Sequence, residues 1–179
     1  SYDQFYNEHI YIFSALSVKK IISKYNLELF EIEKLSTHGG SLRYYIKRTE
    51  NKKIHIKDSV SKQINDEIKF GLNKYSTYKK FGENVKKSKK NLINIFNDIK
   101  NKKHKIIGYG ATAKATTVLN YCKINEKIID YFVDTTPDKI NRFMPGTKIK
   151  IKKYNQKLLD NVNYIYLGAW NFKDEIFKK

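Results

Sequence analysis

The stretch Lys105-Ile106-Ile107-Gly108-Tyr109-Gly110-Ala111-Thr112-Ala113-Lys114 constrains the fold of this chain more than any other. Two β-branched residues read as a buried strand. Two glycines come next, one residue apart, and then a segment without breakers runs to Tyr121. This predicts strand, tight turn and a helix over about 112–121, which is the opening of a βαβ unit. Glycines allow the turn and a close approach of the backbone to a ligand. The N–H groups at the helix start favour an anion, and Lys114 adds a full charge there. Two readings stay open: a phosphate or nucleotide site, or a turn that only packs helix on sheet. The third position of a dinucleotide fingerprint falls on Ala113. Asp134, about 20 residues on, sits where a ribose-binding acid belongs.

Beyond Gly110 the chain alternates helix and strand. Lys127–Asp134 reads as a second strand, with the loop Thr135-Thr136-Pro137-Asp138 at its carboxyl end. Open α/β sheets bind ligands at that end. Phe143-Met144-Pro145-Gly146 reads as a turn, and Ile149 and Ile151 as a short strand. Leu158 lies in a weak helix, Tyr164–Leu167 is another buried strand, and Trp170 begins a terminal helix through Phe177. The fold class is therefore α/β with a Rossmann-like parallel sheet.

The chain ahead of the glycine turn is helical and charged. Residues 59–101 carry apolar positions at three- and four-residue spacing (Val60, Ile64, Ile68, then Tyr75 to Ile99). They read as two helices broken near Gly71. Further upstream, Ser14 can cap an amphipathic helix to Tyr25, with Asn26 as its stop. Leu27–Leu35 is a strand with a register break near Phe30. Ser41–Arg48 alternates, with Leu42, Tyr44 and Ile46 inward. The loop between these strands holds His38, Gly39 and Gly40. His38 could reach a ligand or cap the turn. The first residues crowd phenol, carboxylate and imidazole into Tyr6-Asn7-Glu8-His9. Such groups can move protons near neutral pH, or can simply pack as core aromatics with a satisfied histidine.

Composition excludes several classes. The 179 residues include 14 Tyr and 10 Phe, enough for a packed core, yet no apolar run spans a membrane. One cysteine, Cys122, excludes an intramolecular disulfide, so a cytoplasmic location is expected. The formal charge is +18, but the lysines are spread along the chain. The dense groups, Lys86 to Lys90 and Lys100 to Lys103, flank a helical pattern and read as a solvated face. No specific nucleic acid partner and no membrane are expected. A start on Ser leads us to expect a piece of a longer protein, cut or split.

The residues also carry a family resemblance. Tyr2-Asp3-Gln4-Phe5-Tyr6-Asn7-Glu8-His9 resembles the Tyr-x-Glu-His segment of the sugar C-methyltransferases, which act on nucleotide-linked deoxy-keto-sugars. Thr37-His38-Gly39-Gly40-Ser41-Leu42-Arg43 looks like a second motif of that family. Gly108-Tyr109-Gly110-Ala111, Ala113-Lys114 and Asn120-Tyr121-Cys122 resemble a third. Asp130-Tyr131, Val133-Asp134, Pro145-Gly146-Thr147 and Trp170-Asn171 with Lys173-Asp174-Glu175-Ile176 continue the series in order over nearly the whole chain. Asn7, Thr112 and Ala115-Thr116 depart from the residues frequent in the family.

The resemblance implies a zinc-binding N-terminal domain, a class I methyltransferase domain that binds S-adenosylmethionine, and a Rossmann-like C-terminal domain. On that pattern residues 1–50 are the terminal helix and hairpin of the methyltransferase domain, and 59–179 are the C-terminal domain. The donor site and zinc site would lie outside this chain, which carries no metal ligands of its own. The missing N-terminal methyltransferase portion is then an expected partner. The implied function is base-assisted enolate formation on a nucleotide-linked keto-deoxysugar, then methyl transfer, with this chain inactive alone. His9 is implied as base, Tyr6 as acid or enolate stabiliser, and Glu8 as support. Tyr6 and His9 could exchange roles. His38, Gly39, Gly40, Gly108, Tyr109, Gly110, Lys114 and Asp134 are implied in substrate binding. A non-catalytic module for a nucleotide or nucleotide sugar is the alternative.

Overall fold

A computed structural model describes residues 2–178, with the side chain of His38 outside the description. The chain forms two compact units, residues 11–83 and residues up to Ile10 together with those from Asn84 onward.

In the unit of residues 11–83, helix α1 (Ala15–Ile22) begins at a capping box of Ser14 and Ser17. It continues as a 3₁₀ turn to Tyr25, and Asn26 ends it in the left-handed region at φ 54°. Strands β1 (Leu27–Leu35) and β2 (Ser41–Arg48) pair antiparallel. The expected register break is a bulge between Leu29 and Glu31, which lets Leu29 and Ile32 both enter the core with Ala15, Val18 and Val60. Leu42 and Tyr44 pack against this core as expected. Ile46 does not and is 41% exposed, while its neighbour Lys47 is buried. Lys47 keeps its ammonium satisfied by Glu28 Oε1 and the Asn51 carbonyl, each at 2.8 Å, so its stem can fill the space.

Helix α2 (Asp58–Phe70) ends at Gly71, whose φ of +91° closes the helix as the sequence leads one to expect. Buried Glu67 reaches from α2 to the start of α1. Its two oxygens accept the N–H groups of Ala15 at 2.8 Å and Leu16 at 2.9 Å. A carboxylate at a helix N-terminus is favoured by the dipole and by the unpaired N–H groups. The long helix α3 (Tyr75–Asn101) comes next.

The other unit is the α/β part. β3 (Ile106–Tyr109), β4 (Phe132–Asp134), β5 (Ile151–Lys153) and β6 (Tyr164–Leu167) form a parallel sheet in the order β5-β4-β3-β6. Counted within the sheet this is the order 3-2-1-4, one three-strand Rossmann half plus the next strand across the switch point. Ile106 and Phe132 face a core with Leu119, Ile129, Met144 and Ile149. Ile107, Tyr131 and Val133 face the opposite side with Tyr109, Tyr154 and Leu159. This two-sided burial explains the continuous apolar runs in the sequence. Helix α4 (Ala113–Cys122) starts just after the glycine turn.

Three expectations are corrected in extent, and one in burial: β6 is not a buried strand, with Tyr164 44% and Ile165 46% exposed at the edge of the sheet. The second strand is only Phe132–Asp134, because Asn125 organises 125–129 as a turn with its carbonyl and side chain. Ile149 lies in the turn before β5 and bonds Met144 there. The terminal helix divides into a 3₁₀ turn, Trp170–Phe172, and the single-turn α5 (Lys173–Ile176). No helix among the described residues is long and apolar enough to cross a membrane.

Candidate active-site segment

Residues 2–9 fold back on themselves against α4. A 3₁₀ turn, Tyr2–Gln4, leads to Tyr6, whose carbonyl accepts the His9 N–H at 2.8 Å. The Tyr6 and His9 rings stack with centroids 4.0 Å apart and 33° between planes. His9 Nδ1 lies 2.9 Å from the Gln4 carbonyl. A carbonyl only accepts, so Nδ1 carries the proton and neutral His9 keeps its lone pair on Nε2. Both rings are half-buried. Burial first, and the Glu8 and Asp3 carboxylates next, push the Tyr6 phenol up from its ordinary value. It stays protonated at neutral pH and can donate a hydrogen bond.

Glu8 is exposed, and among the described residues it makes no hydrogen bond to His9. The group that holds the imidazole here is the Gln4 carbonyl. The segment is anchored by residues distant in sequence. Trp170 Nε1–H donates to Asp3 Oδ2 at 2.7 Å, and the Thr117 hydroxyl donates to the Phe5 carbonyl at 3.2 Å. The Tyr2 and Tyr121 rings meet at 5.6 Å. The roles of Asp3, Gln4 and Trp170 are not legible from sequence. Asp3 and Trp170 carry part of the family resemblance, but nothing pairs residues 167 apart.

The glycine turn is tightly packed by the protein itself. A Cβ on Gly108 would lie 2.3 Å from the Phe132 ring, and one on Gly110 (φ +81°) would lie 2.5 Å from the Ala169 Cβ. Thr112 caps α4 through the Ala115 N–H and donates to the Gly168 carbonyl at 2.8 Å. Asp134, 8% exposed, ends β4 against this turn. Its oxygens accept the N–H groups of Ala111 at 2.7 Å and Thr136 at 2.8 Å, with the Lys139 ammonium 3.5 Å away. Burial pushes this carboxyl up, but the bonds from Thr136 and Ala111 and the Lys139 charge outweigh it and hold it below its ordinary value. Lys114 is 5% exposed, with its ammonium 5.0 Å from the Trp170 ring centroid.

Two clefts border residues named from the sequence. One of about 500 Å³ opens at the carboxyl ends of the parallel strands, lined by Tyr109, Thr135, Tyr154 and Leu167. The other, about 540 Å³, belongs to the unit of residues 11–83 and is lined by Phe13, Lys34, Gly40 and Tyr44. Gly39 and Gly40 have φ of 86° and 120°, so the loop needs glycine at both positions. His38 lies in the same 3₁₀ turn, and its side chain is outside the described residues. Among the described residues no cluster of three or more His, Cys, Asp or Glu side chains could hold a metal ion.

The turn is closed by the protein itself, with the Ala111 N–H taken by the Asp134 carboxylate and the Cβ space of Gly110 filled by Ala169.

A family model described as the C-methyltransferase C-terminal domain matches residues 36–179. The protein "C-methyltransferase NovU" of Streptomyces niveus is 23% identical over 175 residues, covering 98% of this chain and 41% of that protein. The chain therefore spans about two fifths of the length of the curated relative it matches. With most of its length matched by that family, this chain belongs to the C-methyltransferase C-terminal domain family.

Proposed function

We propose that the chain is the C-terminal part of a C-methyltransferase that uses S-adenosylmethionine and acts on a nucleotide-linked keto-deoxysugar. The observation that carries this reading is the stacked Tyr6–His9 pair, with the His9 lone pair left on Nε2. Methylation beside a ketone needs a base at the α-carbon and a donor at the ketone oxygen. His9 Nε2 takes the α-proton. The C–H electron pair becomes the C=C bond of the enolate, and the carbonyl pair moves to oxygen. The Tyr6 phenol donates to that oxygen, where preorganised donors act most strongly. The methyl donor is held by residues outside this chain, so the chain alone does not complete the transfer.

In this reading residues 1–50 close a class I methyltransferase domain and 59–179 form the C-terminal domain. This division by family pattern differs from the compact units, in which residues up to Ile10 go with those from Asn84 onward and 59–83 go with 11–50. Tyr109 and the cleft at the carboxyl ends of the strands serve the nucleotide part of the substrate, and Asp134 acts there by holding the turn. Gly108, Gly110 and Lys114 shape that region, while Gly39 and Gly40 give the hairpin loop of the other unit its own candidate surface beside the cleft at Gly40. The position of the cleft supports this, since ligands of open α/β sheets sit at the carboxyl ends of strands.

Two measurements test it. Calorimetric titration is expected to show binding of dTDP and none of S-adenosylmethionine. Deuterium uptake at the α-carbon of a dTDP-linked keto-sugar needs no methyl donor, and it should fall sharply in His9→Gln. Binding of the sugar nucleotide with no uptake in any form of the protein would favour the non-catalytic binding module. Binding of NAD in place of dTDP would overturn both readings.

A further inference from the structure

We propose that Asp3 and Trp170 are positioning residues whose hydrogen bond sets the tautomer of His9. The proposal rests on the reading of His9 as the base. An unconstrained neutral imidazole can carry its proton on either nitrogen, and the bond made by one nitrogen decides the state of the other. In this chain that bond goes to the Gln4 carbonyl, a backbone group, so its aim depends on how the backbone at Gln4 is fixed.

Gln4 is fixed from both sides. Before it, the Asp3 carboxylate is 5% exposed and takes the Trp170 indole N–H at 2.7 Å. A carboxylate this buried is costly without partners, and a charge-assisted bond of this length is among the stronger kinds. The indole N–H is a donor only, so the polarity of the contact is fixed. After Gln4, the Phe5 carbonyl shares the Thr117 hydroxyl proton with the Ala113 carbonyl, each at 3.2 Å. Between these anchors the Gln4 carbonyl accepts both the Tyr6 N–H at 3.1 Å and His9 Nδ1–H at 2.9 Å. The Asp3 contact is the stronger anchor, being shorter, part-buried and made to a carboxylate, whereas the Thr117 contact is neutral and exposed. Trp170 is itself held by its place after the Gly168–Ala169 segment, which packs on the glycine turn. The α/β unit thus reaches His9 through one side-chain bond and one peptide group.

The test is long-range ¹H–¹⁵N NMR of the imidazole nitrogens in the intact chain, well above the ordinary histidine pKa. The His9 signals are identified by their loss in His9→Gln. The wild-type chain is expected to hold His9 as the Nδ1–H tautomer. Trp170→Phe and Asp3→Ala should each lose that preference and shift His9 toward Nε2–H. Asp3→Asn should keep it, because an amide oxygen still accepts the indole N–H. Amide dispersion in α4 and β3 verifies that each variant is folded, and Asp3→Asn keeps the test open if Asp3→Ala is not.

An Nε2–H tautomer in the wild type overturns the proposal. So does an unchanged tautomer in folded Trp170→Phe, or an Asp3→Asn variant that behaves like Trp170→Phe. The two readings fail separately. A tautomer that responds as expected, with deuterium uptake unaffected by His9→Gln, keeps the clamp and removes His9 as base.

Discussion

Asp134 is the residue whose environment departs most from what a sequence would lead one to expect. At that position a ribose-binding acid is anticipated, and the carboxylate instead bonds the backbone of the turn itself. Removing it would leave two partly or fully buried N–H groups without acceptors. Asp134→Ala is expected to lower stability by roughly 3 kcal/mol, since each unsatisfied buried group costs about 1–3 kcal/mol. Thermal or urea unfolding would read the loss. Its pH dependence has a definite sign. The carboxyl is more acidic folded than unfolded, so the unfolded state binds more protons as pH falls. The stability it contributes is complete above the ordinary aspartate pKa of about 3.9 and is lost as pH drops through that value toward the lower folded one. Asp134→Asn should flatten this part of the stability profile. An unchanged acid limb in that variant would remove Asp134 from the account.

Among the elements, β3 and β4 owe their close contact to Gly108. The Phe132 ring occupies the space that any Cβ there would take. Gly108→Ala is expected to destabilise by roughly 3 kcal/mol, the upper range for overpacking a core. Phe132→Leu in the same chain should recover part of that, because the ring is the colliding group. The coupling is measured by a double-mutant cycle in urea unfolding, and additive losses would show that the ring does not set the cost. The element boundaries were legible where local chemistry fixes them. Ser14, Asn26 and Gly71 mark helix ends by capping or left-handed geometry, and the structure places ends there. The boundary at 125–131 was not legible, because Ile128 and Ile129 look like strand residues. The Asn125 turn that claims them is visible only in three dimensions.

At the scale of the whole molecule the formal charge of +18 has a consequence separate from the proposed ligand. Diffuse positive charge attracts any polyanion, and such binding falls steeply with salt because it releases counterions. Duplex DNA binding by this chain is expected to disappear on going from low to physiological salt. Binding of dTDP should weaken much less, because one small ligand meets few charges. Titration of both ligands at two salt concentrations separates them. DNA binding that resists salt would point to a built nucleic-acid surface.

By itself the sequence determined the class of fold and the family. Apolar runs specify the parallel strands, buried at β3 and β4 and partly exposed at the edge strand β6, and the ordered motifs identify the C-methyltransferase C-terminal domain. It also placed Tyr6 and His9 three residues apart, close enough for a short turn to stack their rings. Only the tertiary structure decided what holds that pair. The Asp3–Trp170 bond joins residues near opposite ends of the chain. The packing of Gly110 against Ala169 and the Thr112–Gly168 bond bring the segment before Trp170 to the glycine turn. The physical reason is range. Capping, alternation and turn chemistry act over a few residues and are written locally. A buried hydrogen bond between distant residues depends on where the sheet and α4 carry its two ends.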